Sequence, residues 1–407
     1  MKPLKAQRLY WAHSLLFLVP LFAAGLWNVS FSTVLTAHGL GDFVAYGFAC
    51  TALAAIAAPL IAGGLADQRV PPERLLRWLV GGAAVFLALA FAAIDCGWGA
   101  GAVLVFLALQ SLCSTPIYSV LSALVLAQLT DPAREFPRIR VWGTMGWMLA
   151  GVVVSFILRA DASTLSGYVA AGALAVLAVA LRRLPETTPP DVKERRTWRE
   201  VFGLDALVLL RHRDHRAFFI VTLFFTIPLA AFYPYAPLQL RELGVEHTTA
   251  LLSLGQVSEI ISMIGLGAVI GRFRVKWIFL AAIGFAALRY GLMATGGIGA
   301  VVAGVALHGL VYTLFFITAQ LYLAERIDAS MQARAQALFF LVSSGIGNLF
   351  GYLGTGWWRS ACLSGGRTNW PGFWGGLATG YVVLGLYFVV SYHGVYRGLR
   401  QAGHRPG

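Results

Sequence analysis

The sequence predicts an all-α membrane protein: twelve transmembrane helices in two six-helix bundles. Three observations predict it. Of 407 residues, 58% are hydrophobic and only 12% charged, with mean hydropathy +0.73, whereas a soluble domain carries about a quarter charged residues. Residues 9–41, 43–66, 96–130, 217–240, 290–324, 335–358 and 368–396 contain no Asp, Glu, Lys or Arg, and a helix needs roughly 20 apolar residues to span the hydrocarbon core. The one long polar stretch, RRLPETTPPDVKERRTWREVFGLD (182–205), divides the chain six segments plus six, and its Pro185, Pro189 and Pro190 oppose a continuous helix. Barrel strands would alternate polar and apolar residues over about ten positions; these runs do not.

The elements follow in order. Helix 1 (10–36) starts after Lys2, Lys5 and Arg8. Its apolar run reaches Gly41 with no polar mature region, so it reads as a retained helix rather than a cleaved leader. Helix 2 (43–66) lies between Asp42 and Asp67, and helix 3 (76–95) follows Arg69, Arg74 and Arg77. The run 96–130 is too long for one straight helix, so a loop precedes helix 4 (100–128). Helix 5 (137–158) emerges from Arg134, Arg138 and Arg140, and helix 6 (163–183) completes the first half. Helix 7 (215–240) opens the second. Helix 8 (248–271) is interrupted once, by Glu259, and helix 9 (276–295) once, by Arg289. Helices 10 (298–325), 11 (331–357) and 12 (371–395) complete the set. The expected organisation is an N-terminal bundle over 1–184, a cytoplasmic linker over 185–214 and a C-terminal bundle over 215–407.

Basic residues set the expected orientation. Nine Lys and Arg cluster between Arg182 and Arg216, and Arg272, Arg274, Lys276, Arg326, Arg334, Arg397, Arg400 and Arg405 fall on the same side as the N-terminal cluster. The opposite side has only Arg159, Arg241, Arg359 and Arg367. Both termini are therefore expected in the cytoplasm, with the chain in a cytoplasmic (inner) membrane. The net charge of +13 reflects this bias plus contact with anionic membrane lipids. It is not a nucleic-acid footprint, since no basic stripe is interleaved with exposed aromatics. Cys50, Cys96, Cys113 and Cys362 lack paired spacing, which makes disulfide and metal readings weak. No nucleophile–base pair, metal cluster or phosphate loop is visible, so an enzyme and a bound cofactor are not expected.

The halves echo each other weakly. DPAREFPRIRVWGTMGW enters helix 5 and DASMQARAQALFFLVSSGIG enters helix 11, each with an Asp, then an Arg six or seven residues on, then small residues. Two such halves around a midplane cavity are a transporter plan. GGLADQR (63–69), at the end of helix 2, resembles the Gly-x-Leu-Ala-Asp-Arg-x-Gly signature of the major facilitator superfamily, although Pro71 and Pro72 replace its later residues. That resemblance implies close helix approach at Gly63 and a charge partner or cap at Asp67, at a cytoplasmic gate.

An ionisable group inside a membrane helix costs about 2.5–3.5 kcal/mol on insertion scales, so it faces a cavity or a partner. Glu259 lies about 16 Å along its helix at ~1.5 Å per residue, near the bilayer midplane. Gln256 shares its face at i−3. An acid and an amide there suit a polyhydroxylated substrate, and the acid suits a proton; a structural interhelical hydrogen bond is the plainer reading. Arg140, Thr144 and Trp147 share one face of helix 5, with Gly143 and Gly146 beside them. They offer a cation, a hydroxyl and a stacking ring; an arginine at the cytoplasmic end and an interfacial tryptophan are the alternative. Tyr312 and Phe316, at i and i+4 on helix 10, suit sandwiching a planar ring, though such aromatics are more often packing residues. His308 precedes Tyr312 by one turn. Arg289 has Glu259 as its candidate partner, with a structural role equally open.

EFPRIRVWGTMGWMLAG, GLDALVLLRHRDHRAFFI, LSLGQVSEIISM, HGLVYTLFFITAQLYL and ARAQALFFLVSSGIGNLFG occur in order along nearly the whole chain. Together they resemble the bacterial nucleoside:proton symporters of the major facilitator superfamily. The resemblance implies nucleoside contacts from Arg140, Thr144, Trp147, Gln256, Glu259, Tyr312 and Phe316, and a proton on Glu259. Two departures from the family stand out. Its helix 7 carries a glutamine and an asparagine where this chain has Ala230 and Tyr233, so Tyr233 becomes the substrate-facing candidate. The acid that follows the helix 10 phenylalanine is here Ile317, which leaves Glu259 as the main proton carrier. The expected function is proton-coupled nucleoside uptake by a functional monomer through alternating access. Another polar solute, such as a sugar or a drug, or a transporter-like sensor, are the alternatives.

Overall fold

The computed structural model describes residues 3–66, 70–183 and 197–394. Among these residues, twelve helices are long and apolar enough to cross a membrane. They are α1 Leu9–Ala37, α2 Gly41–Pro59, α3 Pro72–Asp95, α4 Ala100–Leu126, α5 Arg134–Leu158, α6 Leu165–Arg183, α7 Arg213–Glu242, α8 Thr248–Gly267, α9 Val275–Ala294, α10 Ile298–Arg326, α11 Ala329–Ala361 and α12 Trp370–Ser391. Each matches one expected segment. Gly63 falls in the regular helix Val44–Ala66, whereas Asp67 lies outside the described residues.

Several helices are not continuous, and the causes are local. α7 breaks between Leu229 and Phe232, within TIPLAAFYPYAPLQL. Pro234 and Pro237 have no N–H to return to Ala230 and Tyr233, and beside the break Tyr290 Oη donates to the Pro228 carbonyl at 2.8 Å. α8 breaks at Ser253 between Thr248–Leu252 and Leu254–Arg272. The Ser253 hydroxyl donates back to the Thr249 carbonyl at 3.4 Å, the type of side-chain competition that disturbs a helix. Wider, π-type turns occur at Val153–Leu158 in α5, Thr313–Ile317 in α10 and Leu341–Gly347 in α11. Such turns recur at functional sites.

The chain forms two compact units. The first comprises residues 1–195 with Tyr233–Ser253; the second comprises 196–232 with 254–407. In the first unit α5 lies along α1, as its glycines predict. A Cβ on Gly146 would meet the Phe22 nitrogen at 3.1 Å and, closer still, the Leu18 carbonyl oxygen. One on Gly25 would meet the Ala150 Cβ at 2.8 Å. Small residues admit this approach, since between membrane helices packing replaces the hydrophobic drive.

In the second unit α9 packs against α10 and α12, and α8 against α10. Ahead of α7, Thr197 and Glu200 form a reciprocal capping box on the short helix Trp198–Val201. Gly203, at φ 66°, lets the chain pass against the Arg334 carbonyl at the start of α11.

Candidate functional site

In the first unit, Arg140, Thr144 and Trp147 lie on one face of α5, as their spacing requires. The glycine face beside them is consumed by packing on α1. Arg140 is exposed, and its guanidinium carbon stands 5.2 Å from the Tyr118 ring of α4, a cation–π distance. Thr144 and Trp147 are half-buried. The Trp147 ring meets Tyr233 edge-on, with centroids 6.0 Å apart and planes at 65°. Thus the structure brings Tyr233, one of the two departing residues of helix 7, against a predicted stacking residue. The other departing position, Ala230, behaves differently. It is buried on Gly351 of α11, where a Cβ on that glycine would lie 2.6 Å from the Ala230 Cβ. Position 230 is therefore a packing contact, with no room for an amide unless α7 and α11 separate.

In the second unit, Gln256 is buried and Glu259 half-buried on α8. The feature that frames them is a close crossing with α10. A Cβ on Gly309 would collide with the Glu259 nitrogen and Cα and with the Gly255 carbonyl oxygen. Around the crossing, the Gly309 N–H donates to Ser258 Oγ at 3.0 Å, and the Thr313 hydroxyl reaches the Glu259 carbonyl at 3.5 Å. The Glu259 backbone thus sits where two helix backbones touch, beside two hydroxyls and a peptide N–H. No bulkier residue at 309 would allow this.

Tyr312 and Phe316 are neighbours, with ring centroids 4.8 Å apart and planes at 32°. At that separation the two rings pack on each other and leave no slot between them, so the expected sandwich is not formed by this pair. Phe316 is buried, while Tyr312 is exposed. Ile317, the position without the acid, is half-buried and closes the wide turn.

Arg289 is fully buried on α9. Its Nη1 donates to His308 Nδ1 at 2.8 Å; the guanidinium always carries its protons, so the ring accepts. The same guanidinium lies over Phe232 at 4.3 Å and Tyr290 at 4.8 Å. His308 stacks on Phe232 with centroids 4.3 Å apart and planes at 17°. His308 also abuts Gly255, where a Cβ would stand 3.2 Å from the His308 Cβ. A buried cation is therefore held by an imidazole and two aromatic faces directly behind the turn of α8 that carries Gln256 and Glu259. Phe232 and Gly309 were not singled out from sequence. A phenylalanine beside a helix break and a glycine in an apolar run give no local signal. Among the described residues no group of three or more His, Cys, Asp or Glu side chains could hold a metal ion.

The model of a family described as nucleoside H+ symporter matches residues 9–395. The chain belongs to the nucleoside H+ symporter family. Its membership makes it a membrane transporter and not an enzyme. YegT of Escherichia coli (strain K12), provisionally named a nucleoside transporter, is 31% identical over 398 residues, covering 93% of this chain and 92% of that protein. The xanthosine permease of the same organism is 27% identical over 374 residues, covering 87% and 88%. Among solved structures, the nucleoside transporter NupG superposes with a TM-score of 0.86 at 21% identity, covering 94% of this chain and 98% of that one. A bacterial homologue of the lysosomal transporter Spinster superposes at 0.68 and 14% identity. At those identities the superpositions speak for the fold, which is that of the major facilitator transporters.

Proposed function

We propose that this member of the nucleoside H+ symporter family takes up nucleosides with protons by alternating access, with Glu259 as the proton carrier. The observation that carries the assignment of Glu259 is the α8–α10 crossing: an acidic residue whose backbone lies on the contact of two membrane helices, one turn from Gly255, which abuts the buried Arg289–His308 pair. In the first unit, Arg140 and Thr144 hydrogen-bond the polar edge of the substrate, and Trp147 and Tyr233 contact the base edge-on or face-on. In the second, Gln256 and Glu259 bind polar groups, and Tyr312 supplies a stacking face backed by Phe316. Protonation of Glu259 favours substrate binding; a ligand drives such a cycle only through unequal affinity for the two states. Gly63 and Asp67 belong to a cytoplasmic gate. The chain acts as a monomer in contact with anionic lipids of the inner membrane, with 185–214 as a cytoplasmic linker and both termini in the cytoplasm.

The experiment is uptake into proteoliposomes with and without an imposed inward proton gradient, using labelled uridine, adenosine and xanthosine against unlabelled sugars. Accumulation that requires the gradient and is competed only by nucleosides supports the proposal. Accumulation of sugar, or none of any nucleoside, overturns the substrate. A second reading, another polar solute on the same fold, is favoured by one observation: positions 230 and 233 offer no amide, so base or ribose recognition differs from the family pattern.

A further inference from the structure

Asp161 lies in the short connection between α5 and α6 and takes no part in the site above. It is 6% exposed. Its Oδ1 accepts from the Thr249 N–H at 2.7 Å, the Thr248 hydroxyl at 3.2 Å and the Ser155 hydroxyl at 2.9 Å. Its own carbonyl accepts from the Thr33 hydroxyl. Ser155 Oγ in turn accepts from the Ala250 N–H at 3.0 Å. Two backbone donors of the first turn of α8, at Thr249 and Ala250, are therefore satisfied by side chains from a different element, while His247, which precedes the helix, makes no side-chain cap bond. Nearby, Phe156 faces His247 at 4.6 Å, and a Cβ on Gly151 would collide with Ser253 Oγ.

The backbone is shaped for this contact. α5 ends in the wide turn Val153–Leu158, and Arg159 then adopts φ 50°, ψ 44°. It is the one non-glycine residue at positive φ among the described residues. That reversal returns Asp161 to face Ser155, six residues back. Backbone held in a sparsely populated region is over-determined by its surroundings and recurs where position matters.

The segment so held, Tyr233–Ser253, is bounded by the two helix breaks and belongs by its contacts to the first unit. Tyr233, at its other end, meets Trp147 on the same helix, α5. We propose that Asp161 is a positioning residue for transport: its carboxylate clasps the Tyr233–Ser253 segment onto α5 and thereby holds Tyr233 against Trp147. Asp161 itself does not touch substrate.

The test uses the full chain in lipid nanodiscs for amide hydrogen exchange and in proteoliposomes for uridine uptake, comparing wild type, Asp161→Asn and Asp161→Ala. Asp161→Ala speeds exchange of the Thr249 and Ala250 amides about tenfold or more and leaves α9 unchanged. Asp161→Asn, which keeps an oxygen acceptor in place, stays within about threefold of wild type. In uptake, Asp161→Ala raises KM about tenfold with a smaller change in the maximal rate, and Asp161→Asn restores KM. Unchanged exchange in Asp161→Ala, or loosening spread equally to α9, overturns the clasp. Local loosening with unchanged KM overturns the positioning role. If Asp161→Ala does not accumulate in cells, Ser155→Ala is used. It removes the acceptor of the Ala250 N–H, and unchanged exchange there overturns the clasp equally. The uptake arm rests on the nucleoside reading and the exchange arm does not. Wild type that fails to carry uridine while the exchange effect stands refutes that reading and leaves the clasp intact.

Discussion

Gly309→Ala tests the α8–α10 crossing most directly. The added methyl would collide with the Glu259 nitrogen and Cα and with the Gly255 carbonyl. These are backbone atoms, so rotamer changes cannot relieve the clash and α8 must move away from α10. Overpacking of this kind costs about 1–3 kcal/mol, and the Gly309 N–H to Ser258 Oγ bond of 3.0 Å lengthens or breaks. At about 1.4 kcal/mol per decade, that energy corresponds to roughly 5- to 150-fold in the population of the native packing. The shift displaces Glu259 itself, so uptake should fall at least tenfold and its dependence on the proton gradient should weaken. Gly265→Ala, on the same helix, is the control, because nothing lies within 4 Å of a Cβ there. The assay pairs gradient-driven nucleoside uptake in proteoliposomes with thermal unfolding in detergent. Gly309→Ala transporting at wild-type rate with normal gradient dependence would refute the claim that this contact positions the acid, as would an equal loss in Gly265→Ala.

The remaining predictions concern the acid, the ring, the linker and the orientation. Glu259→Gln keeps the size and a hydrogen-bonding end but cannot cycle a proton; gradient-driven accumulation should vanish while binding, read by isothermal calorimetry, persists, and full accumulation removes Glu259 as carrier. Trp147→Ala should weaken nucleoside affinity by roughly ten- to a hundredfold, in line with ~1–3 kcal/mol for base stacking on an aromatic ring, and Trp147→Phe should recover most of it; equal affinities in all three would remove Trp147 from the site. Arg334 reaches Glu200 at 3.7 Å and Asp205 at 3.9 Å but is 39% exposed; exposed pairs contribute about 0–1 kcal/mol, so Arg334→Ala should barely move the melting temperature, and a large drop would mean that the linker helices matter more than their ion pairs suggest. If the termini lie in the cytoplasm, as proposed, the exposed Cys96 faces outward, so membrane-impermeant maleimide should label intact cells and Cys96→Ser should remove most of the signal. Burial pushes the Cys362 thiol up from its ordinary value, so less thiolate is present at neutral pH and its labelling should lag behind and rise as pH rises.

The spans were legible because membrane insertion writes itself along one dimension: a run of apolar residues of sufficient length is both the signal and the element. The helix 5 face was legible for a similar reason, since Arg140, Thr144 and Trp147 follow helical spacing and Gly143 and Gly146 mark the packed side. What sequence did not reveal depends on which helix lies opposite. Gly309 reads as one more small residue in an apolar run until α8 is laid against it. Asp161 reads as a loop charge between two spans until the start of α8 supplies its donors. Tyr312 and Phe316 had the right spacing for a shared face, yet at i and i+4 the two rings touch each other and leave no slot between them. The α7 break could have been read from Pro228, Pro234 and Pro237.

The placement of Arg289 bears on how Glu259 works. A carboxylate that must take up and release a proton needs an environment whose charge does not itself change during the cycle. Arg289 supplies a permanent cation, buried and oriented by His308, Phe232 and Tyr290, one helix layer behind α8. Because the imidazole accepts the guanidinium proton through Nδ1, its remaining ring proton sits on Nε2, and adding a second proton would set two cations 2.8 Å apart. The arrangement commits His308 Nδ1 to holding Arg289, and on the proposed reading proton exchange is left to Glu259. On this reading His308→Gln, which retains an acceptor for Arg289, preserves the gradient dependence of uptake, while Arg289→Met, which removes the donor to His308 and the cation over Phe232 and Tyr290, weakens it. Unchanged gradient dependence in Arg289→Met, measured alongside retained nucleoside binding, would uncouple the buried cation from the acid.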